Sequence, residues 1–160
     1  MDRVDLILQN RIYLEHMYKN NTAEAERRFC RHNMEHFFDV ARIAYIISLE
    51  EKLEVSKEII YATALLHDIG RHEQYEKGIS HEVASAQIAK DILVECGFSA
   101  EETEKIAAAI EDHRTKEIMG QPTLSGIIYR ADKASRACFF CAVKEECNWS
   151  DEKKNLKIKY

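Results

Sequence analysis

The run Ala62-Thr63-Ala64-Leu65-Leu66 leads straight into His67 and Asp68, which sets an imidazole and a carboxylate side by side at the end of an apolar stretch. Both side chains leave one helix end toward the same space. Four more ionisable residues sit on rows of mostly apolar neighbours at helical spacing. His36 shares a row with Val40, Ile43 and Ile47, and His81 leads Ala84, Ser85 and Ile88. His113 follows Ile106, Ala109 and Ile110, and Asp132 follows Ser125, Ile128 and Tyr129. Six groups therefore point inward from five expected helices. A lone histidine on an apolar face is usually a hydrogen-bonded core residue. Six such groups need a common solution, because a buried unpaired charge typically costs several kcal/mol. A divalent ion supplies one: it takes neutral imidazole nitrogen and carboxylate oxygen, and it offsets the charge of the aspartates.

Long helices are needed to hold these residues, and the composition favours them. One proline and five glycines leave a chain of 160 residues little interrupted. A 46% hydrophobic share beside 32% charged residues is the balance of a folded chain rather than a disordered one. The pattern predicts a compact all-α bundle of about six to eight helices, one domain over residues 1–160. Helices are expected from Arg3 to Tyr18, Thr22 to Phe29, Asn33 to Glu50, Ser56 to Gly70, Ser80 to Gly97, Ala100 to His113, and from Pro122 through the mid-140s. Ser99 and Glu102 form a capping box for the sixth. Residues 71–79 read as a polar loop, and residues 150–160 as a charged tail.

A net charge of −5 argues against a protein that coats nucleic acid, so any anionic ligand must be held by local positive charge. No apolar run approaches the ~18 residues of a membrane span. The start, Met1-Asp2-Arg3-Val4-Asp5, lacks the pattern of a signal peptide, and a cytoplasmic location is expected. The five cysteines are then expected as thiols or metal ligands. Cys30, Cys138, Cys141 and Cys147 could together form a structural metal site, or be small buried hydrophobes. Of the other histidines, His16 and His72 are expected at the surface. His32, one turn before His36, is expected to orient a ligand or cap the helix.

"MEHFFDVARIA", "LLHDIGRH" and "ADKAS" together resemble the H…HD…D signature of the HD superfamily of metal-dependent phosphohydrolases, the middle element in its HDIG form. The resemblance covers residues 29–136. It implies an HD-type helical bundle with metal ligands at His36, His67, Asp68 and Asp132. His81 in "GISHEVAS" and His113 in "AIEDHR" look like the two extra histidines of the dinuclear branch, so one ion or two are implied. Nitrogen and oxygen donors suit Mn, Fe, Co, Ni or Zn.

The implied activity is hydrolysis of a phosphate ester or anhydride of a nucleotide or other small phosphate compound. Metal would acidify water and offset phosphoryl charge, with Asp68, Arg71 and Lys133 as the catalytic residues. Arg31, Arg71, Arg114, Lys133 and Arg136, each near a ligand in sequence, are the expected phosphate-binding cations. Glu111 and Asp112 are candidate proton donors. No membrane or nucleic-acid polymer is expected as a partner, and a homo-oligomer is compatible with the sequence. Two other readings remain: a sensor of the same fold that binds metal and nucleotide without turnover, and a structural metalloprotein organised by the cysteines.

Overall fold

The computed structural model describes residues 1–160. It contains eight α-helices: α1 (Asp2–Gln9), α2 (Arg11–Ala23), α3 (Met34–Glu50), α4 (Lys57–Leu66), α5 (Arg71–Lys77), α6 (His81–Glu95), α7 (Ala100–Asp112) and α8 (Leu124–Ala134). Short 3-10 turns lie at Lys116–Ile118, Cys138–Phe140 and Lys144–Glu146, and there is no strand. The all-α bundle expected from the sequence is present.

Helix α4 is the inner rod. Ile59, Ile60, Ala62, Thr63, Ala64, Leu65 and Leu66 are all buried, because the helix is apolar on every side and packs against α3, α6, α7 and α8. Its one inward hydroxyl, on Thr63, donates to Ile59 O at 2.8 Å, which removes the cost of burying it. Ser56 starts the rod by accepting the Ile59 N–H.

Past Leu66 the chain turns through residues 67–70. Two contacts lock this turn. Asn20 on α2 donates through Nδ2 to Asp68 O (3.0 Å) and Ile69 O (3.1 Å), and its Oδ1 accepts the His72 N–H (2.8 Å). The Gly70 N–H donates to Ser85 Oγ on α6 at 2.9 Å. A Cβ on Gly70 would stand 2.6 Å from the Ser85 backbone nitrogen, so only glycine lets α6 approach this closely. That approach carries His81 to Asp68.

Several expected boundaries are corrected. The first helix is two, since Asn10 leaves helical geometry and caps α2 through its side chain on Ile12 N and Tyr13 N. No helix spans Thr22–Phe29. Thr22 closes α2, and residues 24–33 are irregular apart from turns, folded around Glu24. The expected loop at 71–79 is α5, stopped by Gly78 at φ 71° and supported by the pair Lys77–Glu73 (2.7 Å). Pro122 precedes α8, whose cap is Thr123. Helix α8 ends at Ala134, well short of the mid-140s. There Ser135 Oγ donates back to Asp132 O (2.8 Å), and Asn155 of the tail donates to Lys133 O (2.6 Å) and Arg136 O (3.0 Å).

Candidate metal centre

Six side chains from α3, α6, α8, the 67–70 turn and the end of α7 converge in the buried interior. The donor atoms of His36, His67, Asp68 and Asp132 lie within 4.8 Å of one another, as do those of Asp68, His81 and His113. Asp68 belongs to both groups. Its Oδ2 stands 3.4 Å from His67 Nε2, and its Oδ1 stands 3.1 Å from His81 Nε2 and 3.7 Å from His113 Nε2. Asp132 Oδ1 lies 3.4 Å from His36 Nε2 and 3.9 Å from His67 Nε2.

The hydrogen bonds on the far side of each ring decide which nitrogen faces inward. His67 Nδ1 bonds to Ala64 O at 2.7 Å and His113 Nδ1 to Ile110 O at 2.6 Å. A carbonyl only accepts, so each Nδ1 carries the proton and each Nε2 turns a lone pair to the centre. His36 Nδ1 faces Ser135 Oγ at 3.0 Å, and that hydroxyl already donates to Asp132 O. Yet His67 Nε2 and Asp68 Oδ1, both buried, have no hydrogen-bond partner. Such orphaned atoms are costly unless something fills the space between them. Nitrogen and carboxylate donors aimed at one point suit a divalent ion.

The charge states of three of the four rings agree with that use. Burial pushes His36, His81 and His113 below the ordinary imidazole value, His81 to about 3, so these rings stand neutral as metal ligands must. His67 moves the other way: burial works against its charged form, but Asp68 and Asp132 outweigh it. Burial opposes ionisation of Asp68 and Asp132 as well, yet His67 and His32 beside Asp68, and Lys133, His67 and Arg136 beside Asp132, hold both below the usual carboxylate range.

A cavity of about 490 Å3 opens over Asp68, His81, His113 and Asp132. Arg27, Arg71, Arg114, Lys133 and Arg136 line it, with Phe29, Asn148 and Trp149 in its wall. Lys133 Nζ sits 2.5 Å from Asp132 Oδ2, Arg71 Nη1 lies 2.6 Å from His81 Nδ1, and Arg136 Nη2 lies 3.2 Å from His36 Nε2. Four of the five expected cations are therefore at the cavity. Arg31 is not. Its guanidinium folds onto Ala25 O (2.9 Å) and Arg27 O (3.2 Å), and Arg27 takes the place at the cavity instead, held by Tyr75 Oη (2.9 Å). Glu111 is exposed, Asp112 accepts from Ser125 Oγ (3.0 Å), and neither lines the cavity.

Other expectations change. His72 is buried rather than exposed, and its Nε2 meets His16 Nδ1 at 2.7 Å, because α5 packs against α2. His32 does act behind a ligand. Its Nε2 faces Asp68 Oδ2 at 3.6 Å while its Nδ1 bonds to buried Glu24 at 2.6 Å. Cys30, Cys138, Cys141 and Cys147 share a neighbouring cavity of about 360 Å3 as free thiols. Neither convergent donor group includes them, and the Cys138–Cys141 segment is a 3-10 turn rather than a helix.

The model of the HD domain family matches residues 33–137, most of the chain and all six donors. The chain belongs to the HD domain family. With it comes membership among metal-dependent phosphohydrolases of the HD type. An uncharacterized protein of Clostridium beijerinckii is 49% identical over 160 residues, the whole length of both chains. A bifunctional uridylyltransferase/uridylyl-removing enzyme of Nitrobacter hamburgensis is 37% identical over 65 residues, which is 41% of this chain and 7% of that enzyme. Among solved structures, a predicted HD superfamily hydrolase from an uncultured Thermotogales bacterium superposes with a TM-score of 0.63 at 25% identity, over 89% of this chain and 81% of that one.

Proposed function

We propose that residues 1–160 act as one metal-dependent phosphohydrolase that cleaves a phosphate ester or anhydride of a nucleotide or other small phosphate compound. The observation that carries this reading is the pair of orphaned buried atoms, His67 Nε2 and Asp68 Oδ1, the second of them on a residue that lines a cavity bordered by arginine and lysine.

His36, His67, Asp68 and Asp132 would hold one ion, and Asp68, His81 and His113 a second. A bound divalent ion supplies Lewis acidity toward a phosphoryl oxygen and makes water a better nucleophile at neutral pH. The chain's own residues do the rest. Arg71 and Arg136 present forked N–H donors to phosphoryl oxygens, and their charge offsets the negative charge that grows in the transition state. Lys133 can exchange its contact with Asp132 for a hydrogen bond to the leaving oxygen. The carbonyls of Ala64 and Ile110 keep His67 and His113 oriented, and Gln74 Oε1 lies 2.5 Å from His81 Nδ1.

The test is phosphate release from a panel of nucleotides and sugar phosphates with added Mn, together with metal analysis. Turnover that disappears in Asp68→Asn supports the reading. An ion held at Asp68 with no ester or anhydride cleaved would replace it by the sensor.

A further inference from the structure

We infer that the substrate carries at least two phosphate groups, and that a groove outside the metal centre binds the one that is not cleaved. This inference rests on the phosphohydrolase reading for the identity of the first phosphate; the groove itself is argued from charge and shape.

The metal-centre cavity does not end at its cations. Arg114, Lys133 and Trp149 also line a second hollow of about 800 Å3, so these three residues form a shared wall between the two spaces. Beyond that wall the hollow is lined by Lys116, Lys153 and Lys159, all exposed. Its other cation, Arg130, is already neutralised by Glu51 at 2.5 and 2.8 Å. The only acidic side chain in the lining is Glu152.

This concentration of positive charge is out of proportion to the molecule. The chain as a whole is acidic, with net charge −5. At the metal centre, Arg27 is paired with Glu24 at 3.9 Å and Arg114 with Glu82 at 3.5 Å, which leaves Arg71, Lys133 and Arg136 facing Asp68 and Asp132 before any ion is bound. One phosphate dianion held there leaves Lys116, Lys153 and Lys159 of the outer hollow with no ligand at all. Like charges gathered around a concave surface raise its potential and attract an anion. The lysines come from unrelated places, the turn after α7 and the tail after residue 150, so no helix periodicity accounts for their grouping. Trp149, half-buried at the junction, gives the linking part of the substrate a flat apolar surface.

The chemical class that fits is a small molecule with a chain of phosphates, or with two phosphates at separated positions. The scissile group lies at Asp68 and the distal group among Lys116, Lys153 and Lys159.

Calorimetry with inorganic orthophosphate and tripolyphosphate, in a fixed excess of free Mg, tests the groove without relying on turnover. Tripolyphosphate is expected to bind at least about tenfold tighter, an advantage that shrinks with added salt. The variant Lys116→Ala/Lys153→Ala/Lys159→Ala is expected to lose that advantage and keep its affinity for orthophosphate. The charge-matched variant Lys19→Ala/Lys90→Ala/Lys105→Ala is expected to keep the advantage. Equal binding of the two anions overturns the inference. So does an equal loss in the control variant, or tighter binding of a single-stranded oligonucleotide than of tripolyphosphate. The two readings fail separately. A tripolyphosphate preference that depends on the three lysines, without any ester cleaved in Mn, keeps the groove and removes the phosphohydrolase. Cleavage of monophosphates without such a preference does the reverse.

Discussion

Asp68 joins two unequal halves. On its Oδ2 side stand His36, His67 and Asp132, and the rings there have far-side partners that leave one outcome. Ala64 O can only accept from His67, and the Ser135 hydroxyl, spent on Asp132 O, accepts from His36. On the Oδ1 side stand His113, fixed by Ile110 O, and His81, which is not fixed. Its Nδ1 lies 2.5 Å from Gln74 Oε1 and 2.6 Å from Arg71 Nη1. If Gln74 accepts the Nδ1 proton, Nε2 keeps its lone pair, which an ion can take once Arg71 Nη1, 3.0 Å away, moves off it. If Arg71 donates to Nδ1, the proton sits on Nε2, 3.1 Å from Asp68 Oδ1, and the ring offers no lone pair to an ion. The same residue types thus build one stiff half and one adjustable half. What makes a histidine a dependable ligand is the partner of its other nitrogen.

The comparison breaks most completely at the shared residue. Asp68→Asn is expected to remove ion binding from both halves and to lower kcat by about 10²–10³ or more, the usual cost of losing one preorganised electrostatic group. Metal content per chain and phosphate release measure it. If Asp68→Asn retains full metal content, the bridging role is wrong. Next in size is the contrast between His67→Gln and His81→Gln. The first should empty the stiff half. The second should leave one ion per chain, held by His36, His67, Asp68 and Asp132. Equal metal loss in the two variants would mean that the halves are not distinct.

Smaller effects sharpen the difference. Gln74→Leu leaves Arg71 as the only partner of His81 Nδ1, and should weaken the second ion about 10–100-fold while sparing the first. Titration of ion content against a buffered metal series reads this directly. Gly70→Ala acts through the backbone. Its new Cβ meets Ser85 N and Ala84 C at 2.6 and 2.8 Å, so α6 must move away from the turn. A loss of about 1–3 kcal/mol is expected from such overpacking. The second ion should weaken more than the first, because α6 carries His81 alone of the six donors. Denaturant unfolding and metal titration together check both parts.

The donors were legible in the sequence because each interrupts an apolar row, and inward position on a helix is a local property. The capping box at Ser99 was legible for the same reason. The cations were legible only in part, four of the five expected ones reaching the cavity, because sequence distance from a ligand does not set where a long side chain goes. Arg31 precedes His36 closely yet bends onto its own backbone, while Arg27 is aimed at the cavity by Tyr75 from another helix. Burial of His72 follows from α2 meeting α5, which no pattern within "RHEQYEK" announces. Asn20 ends the buried row Tyr13–Met17 of α2 and Glu24 follows one turn later, a signal in the spacing that marks inward position but not partner; one clamps the Asp68 turn and the other holds His32. Trp149 lies in an irregular tail, where periodicity carries no information.

The smallest expected effect concerns protons, and it compares a carboxylate beside the site with one far from it. Burial pushes the Glu24 pKa up, but its bonds to His32 and Tyr75 prevail and hold it at about 2. Glu102 is also held at about 2, by Arg3 first and the Ser99 N–H second, near the surface. Both values lie below the ordinary 4.5. A depressed folded-state value means that the unfolded chain takes the proton first. Each contribution to stability is therefore complete above the ordinary value and fades as pH falls toward about 2. Glu24→Gln and Glu102→Gln should each flatten the acid side of a Tm-against-pH curve. Salt separates them. Exposed pairs are screened and buried ones much less, so about 0.5 M NaCl should erase most of the Glu102 difference and little of the Glu24 difference. Equal sensitivity of the two to salt would place Glu24 in open water, and the support it gives to Asp68 through His32 would then have no structural basis.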